Sequence, residues 1–453
     1  AHASTWTMTD SAPATADDPT RIRAVLDLTM RLAEVIFAAG AGAEDATAAM
    51  QAVTRAYGLK GTDADITHTL LTLTYEDQET HEAISRSRNV KYRNLDYAKL
   101  TAASALVAEL IENPIDVPDA RRRVAAIVRA RPLVPWGLRR IGWSLVGAGA
   151  AVLIGGGPIV IVTAFVATFF VDLITSKLAD RRVPVFYQTV AGGAIGPIAA
   201  AGVQLIDPSA SPSIVVIATI IMLLAGVTTF GAVHDTLSGF YVTGTARLME
   251  ALLITAGLVA GVAGSSLLLG RIGLNLRISA TATPTLENLP MALVAAVVIV
   301  IGFALAVQVP WRAWWAVCVL GLLAELLYLL GIGAGFGGVW SSGAAAVGVG
   351  LVATIASRIV RTPPLAIIVT ALVPLVPGLI LFRGLLQLSD GEITGLLSLL
   401  TAAAVAGALA AGAILAQSLV QYIWGPARRL QRRFIGPLMA LPVRFGREGN
   451  KRI

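Results

Sequence analysis

From Ile141 onward the sequence is a succession of apolar runs, each close to the roughly 20 residues with which a helix crosses a ~30 Å hydrocarbon core. Short breaks separate them. In lipid every backbone N–H and C=O must find its partner inside the segment, so runs of this kind fold as helices. The reading is ten spans, at about 141–157, 158–176, 186–206, 213–231, 247–270, 289–308, 311–330, 338–359, 364–386 and 394–423. Composition agrees: the chain is 56% hydrophobic and 14% charged, against roughly 25% charged residues in an average soluble domain.

Basic residues near span ends resist translocation and mark the cytoplasmic side. With the amino terminus inside, the cytoplasmic segments receive Arg139 and Arg140, Lys177, Arg181 and Arg182, Arg312, Arg358 and Arg361, and Arg428 to Arg433 in the tail. The opposite side receives Arg271, Arg277 and Arg383. This pattern predicts a multi-pass protein of the bacterial cytoplasmic membrane with both termini in the cytoplasm, its basic tail lying on anionic headgroups. The break at 271–288 divides the spans into a first membrane half, 133–270, and a second, 289–424. Five is odd, so related halves would face opposite ways, as in many transporters.

Residues 1–20 lack the apolar core of a signal peptide and are expected to be a disordered leader. Residues 21–132 carry no membrane-length run and have the texture of a cytoplasmic α/β domain. Two amphipathic helices flank the Gly-rich turn of GAGAED. The β-branched stretch DADITHTLLTLTYED predicts a strand that pairs with HEAISRSRNV. Two more helices lead to the membrane, and residues 425–453 form a basic tail.

Nucleic acid is an unexpected partner, because the net charge of +7 gathers beside apolar spans rather than on an aromatic-interleaved face. The single cysteine, Cys318, excludes an internal disulfide framework. His68 and His81 are too scattered for a metal site, and neither a metal nor a cofactor is expected.

Ionisable groups near hydrocarbon are costly and mark candidate pathway residues. The segment 230–262 concentrates His234, Asp235, Arg247 and Glu250 between two apolar helices. Arg247 and Glu250, three residues apart, can pair on one helix face. Thr243 and Thr245 add hydroxyls to what reads as an irregular or re-entrant segment, with a polar loop beside an interfacial ion pair as the alternative. Pro374, Pro377 and Gly378 fall inside the ninth span, where they remove backbone donors and predict a broken helix. Arg383 lies toward its outer end, either meeting a substrate carboxylate or snorkelling. Gln188 opens the third span, and Asp172, expected beside Lys177, and Glu325 are weaker signals; Glu325 is either a proton-carrying carboxyl or a neutralised interhelical contact. Small residues four apart, Gly192 with Gly196 and Gly257 with Gly261, predict close helix packing.

GAGAEDATAAMQAVTRAYGL with DADIT, VPVFYQTVAGGAIG, HDTLSGFYVTGTARLMEALLITAGLVAGV and PPLAIIVTALVPLVPGLILFRG, in this order, resemble the threonine/serine exporter family, ThrE, from about Arg23 to Trp424. The resemblance implies a ten-span exporter that uses the proton gradient to expel threonine, serine and similar amino acids, with the α/β domain in the cytoplasm. Related split systems associated with dicarboxylate export keep that alternative open. A membrane-embedded hydrolase or regulatory receptor is the further alternative, although no G-x-S-x-G elbow or metal-binding His cluster occurs and no catalytic residue is assigned. For an amino-acid zwitterion, Asp235 or Glu250 would take the ammonium or exchange a proton. Arg247 or the broken ninth helix would take the carboxylate, and Thr243 and Thr245 the hydroxyl. The expected partners are an amino acid, protons and lipid, with self-association left open.

Overall fold

The computed structural model describes residues 19–77, 81–90, 93–274 and 289–424. The expected leader, most of the 271–288 loop and the basic tail lie outside the described residues.

The amino-terminal part begins with α1 (Pro19–Ala38), whose Ile22, Val25, Leu26, Leu32 and Ile36 recur at helical spacing and are all buried. Gly40, at φ 108°, turns the chain into α2 (Ala43–Ala56). The single strand expected of DADITHTLLTLTYED is instead a hairpin, because His68 at φ 55° reverses the chain inside it. Strands β1 (Thr62–Thr67), β2 (Leu70–Glu76) and β3 (Ala83–Asn89) form an antiparallel meander in that order. Ala64, Ile66, Leu71, Leu73 and Tyr75 face inward from alternate positions. Helices α3 (Tyr97–Glu112) and α4 (Val117–Arg129) complete this part. Its apolar core runs on into that of the bundle, from Phe37 and Tyr97 to Phe303 and Val307.

The first half of the bundle comprises α5 (Trp136–Leu153), α6 (Pro158–Asp180), α7 (Val185–Ile206), α8 (Pro212–Ile220), α9 (Gly226–Leu237) and α10 (Tyr241–Arg271). The second comprises α11 (Leu289–Ala306), α12 (Trp314–Gly333), α13 (Gly338–Val360), α14 (Pro364–Leu372), α15 (Gly378–Ser389) and α16 (Thr394–Trp424). Among the described residues seven helices are long and apolar enough to cross a membrane, or nine if each bent pair, α8 with α9 and α14 with α15, is one span. The first expected span corresponds to α5, whose first turns carry Arg139 and Arg140 and which is not among those nine.

The ninth span is broken where Pro374, Pro377 and Gly378 predict it, with α14 and α15 at 47°. The fourth was expected to run straight over 213–231, but it breaks at Leu224 and Ala225 with a 49° bend and continues to Leu237. His234 and Asp235 therefore lie in the last turns of α9, a regular helix. The two breaks have matching backbones. Leu224 and Val376 are extended at φ/ψ of −62/128° and −67/134°, and Ala225 and Pro377 follow at −73/27° and −79/29°.

The halves repeat one order and meet head to tail. Gly142 of α5 packs on Gly302 and Ala306 of α11, and Gly149 on Ala295 and Ile299, so these two helices run antiparallel. Within each half the third and sixth helices pack in parallel. Gly257 and Gly261 seat α10 on Phe186 and Val190 of α7, and Gly343 and Gly350 seat α13 on Ala408 and Ala416 of α16. A Cβ on Gly261 would lie 2.1 Å from the Val190 carbonyl oxygen, whereas Gly264 has nothing within 4 Å. Helix propensity alone favours alanine over glycine by about 1 kcal/mol. Thermal unfolding in detergent should therefore show Gly264→Ala neutral or stabilising and Gly261→Ala destabilised by about 1–3 kcal/mol through overpacking; equal responses would contradict this packing.

Candidate functional site

The two breaks touch. A Cβ on Gly226 would stand 3.1 Å from the Gly378 nitrogen, and one on Gly378 the same distance from the Gly226 nitrogen. Around this crossing lies a cavity of about 440 Å³, within the range of small-molecule sites. The amino-terminal turns of α9 and α15 open into it through Gly226, Val227, Thr228, Gly378 and Leu379. The first N–H groups of a helix have no partner within it and carry its positive end, which suits a carboxylate. Trp143, edge-on to Phe303 with centroids 5.7 Å apart, forms an apolar wall. Leu95, from the segment ahead of α3, also lines the cavity, so the amino-terminal part reaches it.

Glu325 of α12 is the cavity's acidic group. It is 1% exposed, and neither carboxyl oxygen has a hydrogen-bond partner among the described residues. Burying such a group without a partner is costly. A cation or a proton arriving from the cavity would remove that cost. Tyr328, Ser342, Thr401 and Arg383 line the same space, so Pro374, Pro377, Gly378 and Arg383 are brought together with Glu325.

The residues singled out at 234–250 lie elsewhere, at the junction with the amino-terminal part. Gly42, the residue ahead of α2, has no side chain with which to cap it. Asp235 of α9 does this from across the junction, its Oδ1 accepting the Ala43 N–H at 3.1 Å. A Cβ on Gly42 would stand 3.2 Å from that oxygen, so glycine keeps the approach open. The other Asp235 oxygen pairs with Arg247, so Arg247 does not make the expected pair with Glu250, which is exposed. Thr243 donates to the Ile66 carbonyl at 2.8 Å and accepts the His68 N–H at 2.9 Å, fastening the hairpin tip to α10. Thr245 is exposed and bonds the Tyr241 carbonyl. His234 is buried and faces a second cavity at this junction. Gln188 donates to the Val183 carbonyl at 2.7 Å and lines a separate space beside the fourth-span break. Asp172 pairs with Arg140 at 3.1 Å rather than with Lys177.

The central cavity was legible only from its proline-containing side. Glu325 is a lone acid in an apolar run, and its placement beside the breaks needed the helix packing. No group of three or more metal-ligating side chains occurs among the described residues.

Apolar helices packed around two broken spans, with a lined cavity at their crossing, define a multi-pass helical membrane protein of the transporter kind. Residues 27–269 match the family model described as "Putative threonine/serine exporter", and residues 292–419 the model described as "Threonine/Serine exporter, ThrE". The chain is 33% identical over 414 residues to a "Probable threonine/serine exporter" of Mycobacterium tuberculosis (strain ATCC 25618 / H37Rv), covering 89% of this chain and 77% of that protein. It is 28% identical over 431 residues to the "Threonine/serine exporter" of Corynebacterium glutamicum, covering 92% and 86%. No solved structure matches it. The chain belongs to the threonine/serine exporter family, and the two family models fall on either side of the division between its halves.

Two predictions concern the junction. Removing one partner of a buried ion pair costs roughly 3–5 kcal/mol, so Asp235→Ala should lower the unfolding temperature and expose the α2 region to limited proteolysis, whereas Glu250→Ala should do neither. Burial, with the charge of Asp235 nearby, pushes the Asp45 carboxyl up from 3.8 to about 6. The native state then holds more protons than the unfolded one across that interval, and stability falls as pH rises through it. Asp45→Asn should raise the unfolding temperature at pH 7.5 and leave it unchanged near pH 4; a gain equal at both would contradict this assignment.

Proposed function

We propose that the chain exports threonine, serine and similar small amino acids from the cytoplasm across the cytoplasmic membrane in exchange for protons. In this reading the ten hydrophobic elements, α5 included, all cross the bilayer, and the amino-terminal part and both termini face the cytoplasm. The basic residues at the inner ends of the spans support that orientation. The names of the relatives support the substrate class.

The observation that carries the reading is the unpartnered Glu325 carboxyl in a cavity into which two helix amino termini also open. A zwitterion needs both. Its ammonium meets Glu325, its carboxylate meets the amino termini of α9 and α15 with Arg383 nearby, and a hydroxyl side chain meets Ser342, Thr228 or Thr401. When the substrate leaves, a proton takes its place on Glu325, which couples efflux to the proton gradient. A dicarboxylate would set a second negative charge against Glu325 and fits less well. Asp235, Arg247 and Thr243 then serve to hold the amino-terminal part against the bundle.

In energised proteoliposomes, Glu325→Gln should reduce proton-driven threonine and serine efflux to background while the protein remains folded, and Glu325→Asp should retain part of it. A C4 dicarboxylate should not be exported by the wild type. Wild-type efflux from Glu325→Gln would remove the assignment.

A further inference from the structure

We propose that the chamber between the amino-terminal part and the bundle is a second amino-acid site, where substrate is collected on the cytoplasmic side before it reaches the cavity around Glu325; this rests on the exporter reading. The chamber holds about 400 Å³. Its walls come from both parts of the chain: Glu44 and Asp45 from the first turn of α2, His234 from α9, Gln417 from α16, and Arg361 with the start of α14.

Two adjacent carboxylates at a helix start would by themselves only complement the positive end of that helix. Here they face the chamber together with buried polar groups. Gln417 is 5% exposed and His234 6% exposed, and both side chains line the chamber. The Gln417 amide offers both a donor and an acceptor to a ligand in the chamber. The remaining chemistry fits a zwitterion. Glu44 and Asp45 suit an ammonium, while Arg361 and the Leu365 N–H in the first turn of α14 suit a carboxylate. Thr101 and Ser104 bring hydroxyls, and Ala41, Ala48 and Ala49 leave room for a small side chain.

The position of the chamber makes it a loading site. Three elements line both spaces: α9 with His234 here and Gly226 there, α14 with Pro364 here and the turn after it there, and α16 with Gln417 here and Val405 there. Gln417 and Val405 are twelve residues apart on one helix, roughly 18 Å along its axis. Between them α14 is buried from Ala366 to Leu372 and closes the route. Ala105 and Ala108 of α3 are exposed at the rim of the chamber, which gives a solute access from the aqueous side. Asp235, Arg247 and Arg93 stand behind Asp45 and Gly42, so charge balance at the chamber is coupled to the ion pair that docks the two parts.

The test is equilibrium binding of radiolabelled L-threonine to the full-length protein in nanodiscs. Wild type should bind two equivalents and Glu325→Gln one. The double variant Glu44→Gln/Asp45→Asn should also bind one, and adding it to Glu325→Gln should abolish binding. Ala108→Trp, which blocks the rim without touching the docking pair, should slow occupancy of the chamber and raise the threonine KM for efflux about tenfold. One equivalent in wild type that Glu325→Gln alone removes, or unchanged binding in the chamber variants, would overturn this inference and leave the exporter reading standing. No threonine binding to wild type would overturn both.

Discussion

The approach of Gly226 to Gly378 is the contact on which the arrangement depends. Two helices that stop and restart within a bilayer leave backbone groups that lipid cannot satisfy, and irregular backbone persists there only where protein or a cavity surrounds it. Placing the two breaks against each other shields both. It also aims two helix amino termini into one space. Each glycine makes this possible by the Cβ it lacks, since at either position a side chain would meet the opposing backbone at about van der Waals contact or closer. The matching dihedral angles at Leu224–Ala225 and Val376–Pro377 show one local solution used twice. The antiparallel crossing of α5 and α11 relates the halves that contain them.

The amino-terminal part is tied to this bundle by chemistry that is polar at one point and apolar around it. Asp235 caps a helix that starts at a glycine and balances Arg247 at the same time, so one carboxylate serves both groups. The Tyr97 N–H donates to the Val307 carbonyl at 2.9 Å, and Leu95 beside it reaches the central cavity. Movement of the amino-terminal part would therefore be felt at the floor of that cavity. A shared apolar core, continuous from Phe37 to Phe303, makes the two parts one mechanical unit.

Much of this was legible in the sequence, and the failures have physical causes. Span lengths located the bundle because lipid imposes them. The ninth-span break was legible because Pro374 and Pro377 cannot donate to a helix ladder. The fourth-span break was not, because Leu224, Ala225 and Gly226 form the same turn without a proline, and only the partner glycine reveals why it is stable. Charge density pointed to His234 and Asp235, which are indeed buried, and to Arg247, which is half-buried, but the surface covering them is another part of the same chain, and a one-dimensional reading does not show which face a helix end presents. Glu325 carried a weak local signal and occupies the central cavity, since its significance lies in what α12 packs against. The hairpin at His68 was missed because a non-glycine residue with positive φ leaves little trace in composition.

The most direct test of the central claim, that the space between the two breaks carries the substrate, is a cryo-electron microscopy structure of the protein in nanodiscs at saturating threonine. The account predicts ligand density with its ammonium against the Glu325 carboxyl and its carboxylate toward the amino termini of α9 and α15. A crossing of Gly226 and Gly378 that stays empty while threonine sits only among lipid-facing helices would contradict it.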